Sequence, residues 1–164
     1  MAKIVINAGH TKLDKGTGAV GVLNESIETR NIAYELMRLL AQTRHEVIPA
    51  VIDKSNDNLK EAVKIANNSK CDLFVSIHLN AGGGQGCEVY TWNGEKTKIA
   101  TKTCEELNKL GFKNRGVKNG NHLYVIKKTS SPAILVECCF ADNPSDKKIY
   151  NYQKVAKAIY NAIV

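Results

Sequence analysis

The chain has 164 residues, 43% hydrophobic and 24% charged, which is one domain's length with material for a full core. No apolar run approaches the ~20 residues of a membrane span, and residues 1–6 carry no signal-peptide h-region, so the expectation is a soluble protein made in the cytosol. The net charge of +7 attracts polyanions, but the lysines are scattered without interleaved aromatics; that argues against nucleic acid and leaves an anionic wall polymer such as a teichoic acid, or simply a basic soluble surface.

Residues 3–7 form a short apolar run, read as a first strand, and Ala8-Gly9-His10 closes it with a histidine at the exit. Residues 11–23 are Gly-rich and irregular. Asn24 is suited to cap a helix, with Glu25 and Glu28 in its first turn. Ile32, Leu36 and Leu40 then recur every fourth residue, an amphipathic helix to about Thr43. Residues 46–52 read as a second strand. Asn58 with Glu61 resembles a capping box, opening a helix that buries Leu59, Ala62, Val63 and Ala66 and ends near Ser69.

Residues 73–77 are mostly apolar strand formers, as in a strand buried on both faces at the centre of a parallel sheet. They deliver His78 and Asn80 to the carboxyl end, where sites of open α/β sheets lie. A flexible Gly-rich loop over 82–86 follows, then a strand over 87–92. A helix over 95–110 is stopped by Gly111. Residues 114–120 read as a polar loop containing Arg115, residues 123–126 as a strand, and Ser130-Ser131-Pro132 as a turn. A second near-continuous apolar strand over 133–138 carries Glu137, and a terminal helix over 146–164 points Ile149, Val155, Ile159 and Ile163 to the core. The order implies a three-layer α/β domain with a mixed, mostly parallel sheet flanked by helices. The five cysteines are odd in number and include no Cys-x-x-Cys, so they read as reduced, mostly buried thiols, with Cys138 and Cys139 facing opposite sides of their strand.

Two stretches carry candidate chemistry. Gly16-Thr17-Gly18-Ala19-Val20-Gly21 matches G-x-G-x-x-G in form. A dinucleotide site needs that motif directly after its strand and opening a helix, and here residues 10–15 intervene. Asp53 stands at a strand end but too far along to serve as the acidic partner. The second candidate is His10, Glu25, His78 and Glu137. Taken singly, His78 could tie down a loop and Glu25 could simply complement its helix dipole. Taken together, all four fall on one rim of the sheet. Two histidines and a carboxylate are a common catalytic zinc set with an open fourth position, and a further carboxylate can accept a proton from water. An acid within Ile134-Leu135-Val136 and Cys138-Cys139 is costly to bury without a task.

Ile-Asn-Ala-Gly-His10, Gly-Val-Leu-Asn-Glu25, Ser-Ile-His78-Leu-Asn-Ala and Ala-Ile-Leu-Val-Glu137 closely resemble the zinc-dependent N-acetylmuramoyl-L-alanine amidases of bacterial walls and phage endolysins. Gly86-Cys87-Glu88-Val89-Tyr90, Asn114-Arg115-Gly116-Val117 and Phe140-Ala141-Asp142-Asn143 fit the same pattern, and the likeness runs from Met1 to the final helix. An arginine common in this family's second helix is Ala62 here. The resemblance implies a single catalytic domain over residues 1–164 and one Zn2+ held by His10, Glu25 and His78. It makes Glu137 the acid/base, with Asn80 and Arg115 as substrate contacts. It implies peptidoglycan as partner, cut between the muramic acid lactyl group and L-alanine. A phage endolysin made in the cytoplasm and acting on the wall after release fits best, with a separate wall-binding domain as a common companion. The rival readings are a nucleotide-binding oxidoreductase and a non-catalytic binder of anionic wall polymer.

Overall fold

In the computed structural model, which describes residues 1–13 and 16–164, the centre of the sheet is the continuous apolar run at residues 73–80. This strand, β3 (Leu73–Asn80), is buried at every residue but the last. It is flanked by β1 (Lys3–Ala8), which lies in parallel between it and β2 (Glu46–Val51), and by β6 (Ala133–Phe140). Beyond β6 the direction reverses. The strand β4 (Cys87–Thr91) pairs antiparallel with β6, and β5 (Asn114–Asn119) closes the edge parallel to β4. The sheet order is β2-β1-β3-β6-β4-β5, the mixed and mostly parallel sheet that the patterning implied.

Period-2 alternation sends the two faces into separate cores. Ile4, Ile6, Val75, Ile77, Ile134, Val136 and Val89 pack on one face with the helices α1 (Glu25–Leu40), α3 (Lys98–Lys109) and α6 (Tyr152–Ile163). Val5, Phe74 and Leu135 pack on the other with α2 (Asn58–Ser69) and α4 (Tyr124–Lys128). Each such side chain, withdrawn fully from water, contributes about 1.5–3 kcal/mol before entropy is counted. A short helix, α5 (Pro144–Ile149), precedes α6.

Several local expectations are corrected. The fifth strand lies at Asn114–Asn119, not at 123–126. As an edge strand it has one sheet neighbour and none of its residues is fully buried, so its sequence is polar. Residues 124–128 instead wind into α4, where the adjacent Val125 and Ile126 both meet the core. The cap of α2 is Asp57, whose side chain accepts from Lys60 N, while Leu59 stays 40% exposed. The strand β4 stops at Thr91, a 3-10 turn spans Trp92–Gly94, and α3 starts only after the Thr97 cap. The terminal helix breaks at Tyr150 and Asn151: the Asn151 side chain caps α6, and Tyr150 Oη donates to Glu28 at 2.7 Å.

The register of β6 on β3 shifts between His78↔Glu137 and Asn80↔Phe140, which places an extra residue in β6. Cys138 and Cys139 therefore do not separate; both pack into the α1/α3/α6 core. The loop over 82–86, expected to be flexible, is stitched in place. Asp142 accepts from Gly82 and Gly83 N–H, Asn143 donates to Gly84 O, and Asp146 accepts from Gly86 N–H, each at 2.8 Å.

All five cysteines are free and buried. Burial pushes the Cys87 thiol up to about 12 and Cys104 up to about 11, so neither is reactive near neutral pH. A thiol-reactive dye should label none of the five in the native protein and all in denaturant, and dithiothreitol should leave the melting temperature unchanged. A drop in melting temperature on reduction would contradict this assignment.

Candidate metal centre and active site

The site is assembled by three chain segments that meet at the carboxyl end of β1 and β3. Gly9 N–H donates to Ile77 O at 2.8 Å, extending the β1–β3 ladder by one residue and setting His10 beyond it. His10 adopts φ 63°, a left-handed conformation uncommon for a residue with a Cβ. Helix α1 holds it there. Ser26 Oγ donates to Thr11 O, Thr29 Oγ1 to Gly9 O, and Arg30 Nη2 to His10 O. These residues are spaced i, i+3 and i+4, so they line one helical face. Arg30 also donates to Ser26 O, Ile52 O and Asp53, tying the end of β2 into the same knot.

Glu25 is the first residue of α1, behind the Asn24 cap that accepts from Ile27 N. Its Oε1 lies 3.2 Å from His10 Nε2 and 3.1 Å from His78 Nδ1, and accepts from Leu79 N–H at 3.1 Å. Its Oε2 accepts from Ala19 N–H at 2.8 Å. Burial, the largest influence, pushes the Glu25 carboxyl up, but the two imidazoles together hold it well below the usual range. The hydrogen bond that His10 donates to Glu25 in turn raises His10. Ligand atoms of His10, Glu25 and His78 lie within 4.8 Å of one another. His78 Nε2 is buried with no partner among the described residues. A carboxylate facing two imidazoles, with a buried nitrogen left unsatisfied, is a donor set that fits a zinc-like cation.

The close approach depends on two glycines. A Cβ at Gly9 would stand 2.4 Å from the His78 ring, and one at Gly18 would stand 2.5 Å from Glu25 Oε2 and 2.7 Å from His10. Gly16 O contacts His10 Nδ1 at 3.2 Å. The glycine motif thus wraps the trio as a loop between β1 and α1. It does not turn directly from strand to helix, so the dinucleotide reading fails on geometry; Asp53 is occupied by Arg30. Asp14 and Lys15, within residues 10–15, lie outside the described residues.

Glu137 is the register partner of His78 across β3–β6, and its Oε2 is buried without a partner among the described residues. Burial, with the charges of Glu25 and Glu88, pushes its carboxyl up to about 8. Glu88, which the sequence did not single out, is the register partner of Glu137 on the other side. It is 3% exposed and accepts from Asn80 Nδ2 and Tyr90 Oη at 2.9 Å and from Arg115 Nε at 2.8 Å. Asn80 and Arg115 are therefore joined through one carboxylate beside Glu137. Arg115 also lies 5.1 Å over the Phe140 ring. The available sequence signal was a glutamate sharing a strand face with Tyr90 between apolar Cys87 and Val89.

Two imidazoles and a carboxylate beside an untethered carboxyl, on the rim of an α/β sheet, form the donor set used by mononuclear metal-dependent hydrolases. The chain belongs to the N-acetylmuramoyl-L-alanine amidase family, which it matches over residues 4–164. It is 34% identical over 153 residues to the N-acetylmuramoyl-L-alanine amidase CwlM of Bacillus licheniformis, covering 89% of this chain and 59% of that one. It is 32% identical over 159 residues to the endolysin of Bacillus phage SPP1, covering 89% and 58%. The catalytic domain of the CD27L endolysin targeting Clostridia Difficile superposes with a TM-score of 0.90 at 28% identity, over 99% of this chain and 97% of that domain. The chain spans about half the length of several curated relatives it matches, 46% of one and 59% of the CwlM amidase. No helix among the described residues is long and apolar enough to cross a membrane.

Glu88→Ala leaves the Asn80, Tyr90 and Arg115 donors without their shared acceptor. It should destabilise the protein by about 1–3 kcal/mol, read as a lower urea midpoint with unchanged slope.

Proposed function

We propose that the chain is the catalytic domain of a zinc-dependent N-acetylmuramoyl-L-alanine amidase acting on peptidoglycan. The observation that carries this reading is the convergence of His10, Glu25 and His78 within 4.8 Å, next to a Glu137 carboxyl whose Oε2 no described protein donor occupies. In the proposal His10, Glu25 and His78 hold one zinc ion. Bound there, zinc would supply electrophilic polarisation of the amide carbonyl and acidification of a nearby water.

The protein groups divide the remaining work. Glu137 accepts the proton of the attacking water at its carboxylate, then delivers it to the leaving L-alanine nitrogen as the lactyl amide breaks. Its untethered oxygen leaves it free to do both. Because it is paired in register with His78, it faces the ligand trio without joining it. Three protein ligands keep a coordination position open, whereas a fourth would make the site a closed, structural one. Asn80 and Arg115 contact the stem peptide, with Glu88 holding both donors in place. The likeness to the phage SPP1 and CD27L endolysins supports reading the chain as part of an endolysin. In this proposal it acts on the wall after release, with a separate wall-binding module as companion.

Exhaustive chelation should abolish wall lysis and added zinc should restore it; full activity after verified metal removal would end the proposal. Products should carry new L-alanine amino termini and no new reducing sugar ends, as read by amino-terminal labelling and a reducing-sugar assay.

Glu137→Gln should fold and retain zinc while losing turnover by about 10²- to 10⁴-fold or more. Glu25→Gln should weaken zinc retention, with activity partly recovered at high zinc. Zinc content measured beside turnover for both variants decides the roles. Loss of zinc in Glu137→Gln, with Glu25→Gln unaffected in both, would reverse them.

A further inference from the structure

The chain has one tryptophan, Trp92, and it is 46% exposed on the wall of a cavity of about 500 Å3. That volume is within the range of small-ligand sites, roughly 300–1,000 Å3. The cavity is remote from the ligand trio. Its wall includes Leu73, the first residue of β3, while His78 lies five residues further along, about 17 Å at ~3.3 Å per residue.

Both walls are braced. Trp92 opens a 3-10 turn in which Asn93 takes φ 53°. Asn93 N–H donates to Asn121 Oδ1, and Asn121 Nδ2 returns a bond to Asn93 Oδ1, both at 2.7 Å. Thr91 Oγ1 donates to Glu95 O at 2.9 Å across the same turn. On the opposite wall, Ser130 donates twice to Asn67 Oδ1 while Asn67 Nδ2 donates to Lys128 O. A large aromatic ring is thus held out to solvent by a turn that includes a left-handed asparagine, an arrangement that core packing does not require.

Several polar groups at the cavity are unspent. The Trp92 indole N–H, the Ser131 hydroxyl, the Glu95 carboxylate and the Lys127 ammonium have no hydrogen-bond partner among the described residues. Thr129 Oγ1, also at the wall, is buried without one. The two charged groups that line it, Glu95 and Lys127, are of opposite sign and balance each other. A polyanion gains little from that pair. A pyranose ring matches it better: its C–H face lies on an aromatic plane, while hydroxyl and acetamido groups need donors and acceptors side by side.

We propose that the Trp92 cavity binds a neutral N-acetylhexosamine unit of a glycan strand, a second sugar site at the end of the sheet opposite the ligand trio. A polymeric substrate held at two points gains effective concentration at the first. The site is independent of the amide chemistry, so it can be read without turnover.

The probe is tetra-N-acetylchitotetraose, which contains no lactyl amide, titrated into metal-free protein while following the lone tryptophan's fluorescence. A saturable change is expected. By calorimetry, Trp92→Phe should retain binding, whereas Trp92→Ala and Ser131→Arg should weaken it at least tenfold with unaltered melting temperatures. The proposal is overturned if no saturable change occurs, if Trp92→Ala binds the sugar as well as the parent chain, or if inorganic polyphosphate saturates the signal where the sugar does not. Loss of wall lysis on chelation with sugar binding intact would support this site and the zinc proposal separately. Metal-independent lysis with sugar binding intact would sink only the latter.

Discussion

One carboxylate oxygen, Glu25 Oε1, draws the site together. It lies within 3.2 Å of both His10 Nε2 and His78 Nδ1 and also takes the Leu79 amide hydrogen. A buried anion without partners is costly, and here the partners come from two separate segments, His10 after β1 and His78 with Leu79 at the end of β3. Satisfying that oxygen requires the loop after β1, the start of α1 and the end of β3 to meet at one point. The side chains of Ser26, Thr29 and Arg30 then fix the loop from the helix side, so His10 keeps its left-handed backbone.

Reversal of strand direction past β6 decides what surrounds Glu137. Since β4 runs antiparallel, its first residues rather than its last lie at the site end of the sheet, and Glu88 falls opposite Glu137. Like charges directly opposite each other are unfavourable. The two carboxyls are treated differently: Glu88 is ion-paired with Arg115 and bonded to Asn80 and Tyr90, while Glu137 Oε2 receives no donor among the described residues. Burial, with the charges of Glu25 and Glu88, pushes Glu137 up to about 8, which under the proposed function suits a group that takes and returns a proton.

The segment after β6 gives the same rim its rigidity. Asp142, Asn143 and Asp146 bind the backbone of the glycine-rich loop, and Asp146 also accepts from Phe140 N–H at 2.8 Å. A loop that composition marks as mobile is thereby made a fixed wall. The extra residue in β6 keeps Phe140 on the site face beneath Arg115 and sends both adjacent cysteines into the core.

Much was legible from the residues because it depends on local periodicity. The apolar runs at β3 and β6 identified central strands, the fourfold spacing of Ile32, Leu36 and Leu40 identified α1, and strand ends carrying His10, His78 and Glu137 pointed to one rim. Edge strand β5 and helix α4 were misread because burial there is set by one neighbour or by two adjacent residues, which leaves no clean period. Glu88, Arg30 and the clasp on the Gly-rich loop were hidden for a different reason. Each also acts through partners 8 to 60 residues away, and pairing at that separation is decided by register and strand direction. The sequence alone determined which side chains could do chemistry; only the tertiary structure decided which of the acidic ones meet the histidines, which is held by arginine, and which is left free.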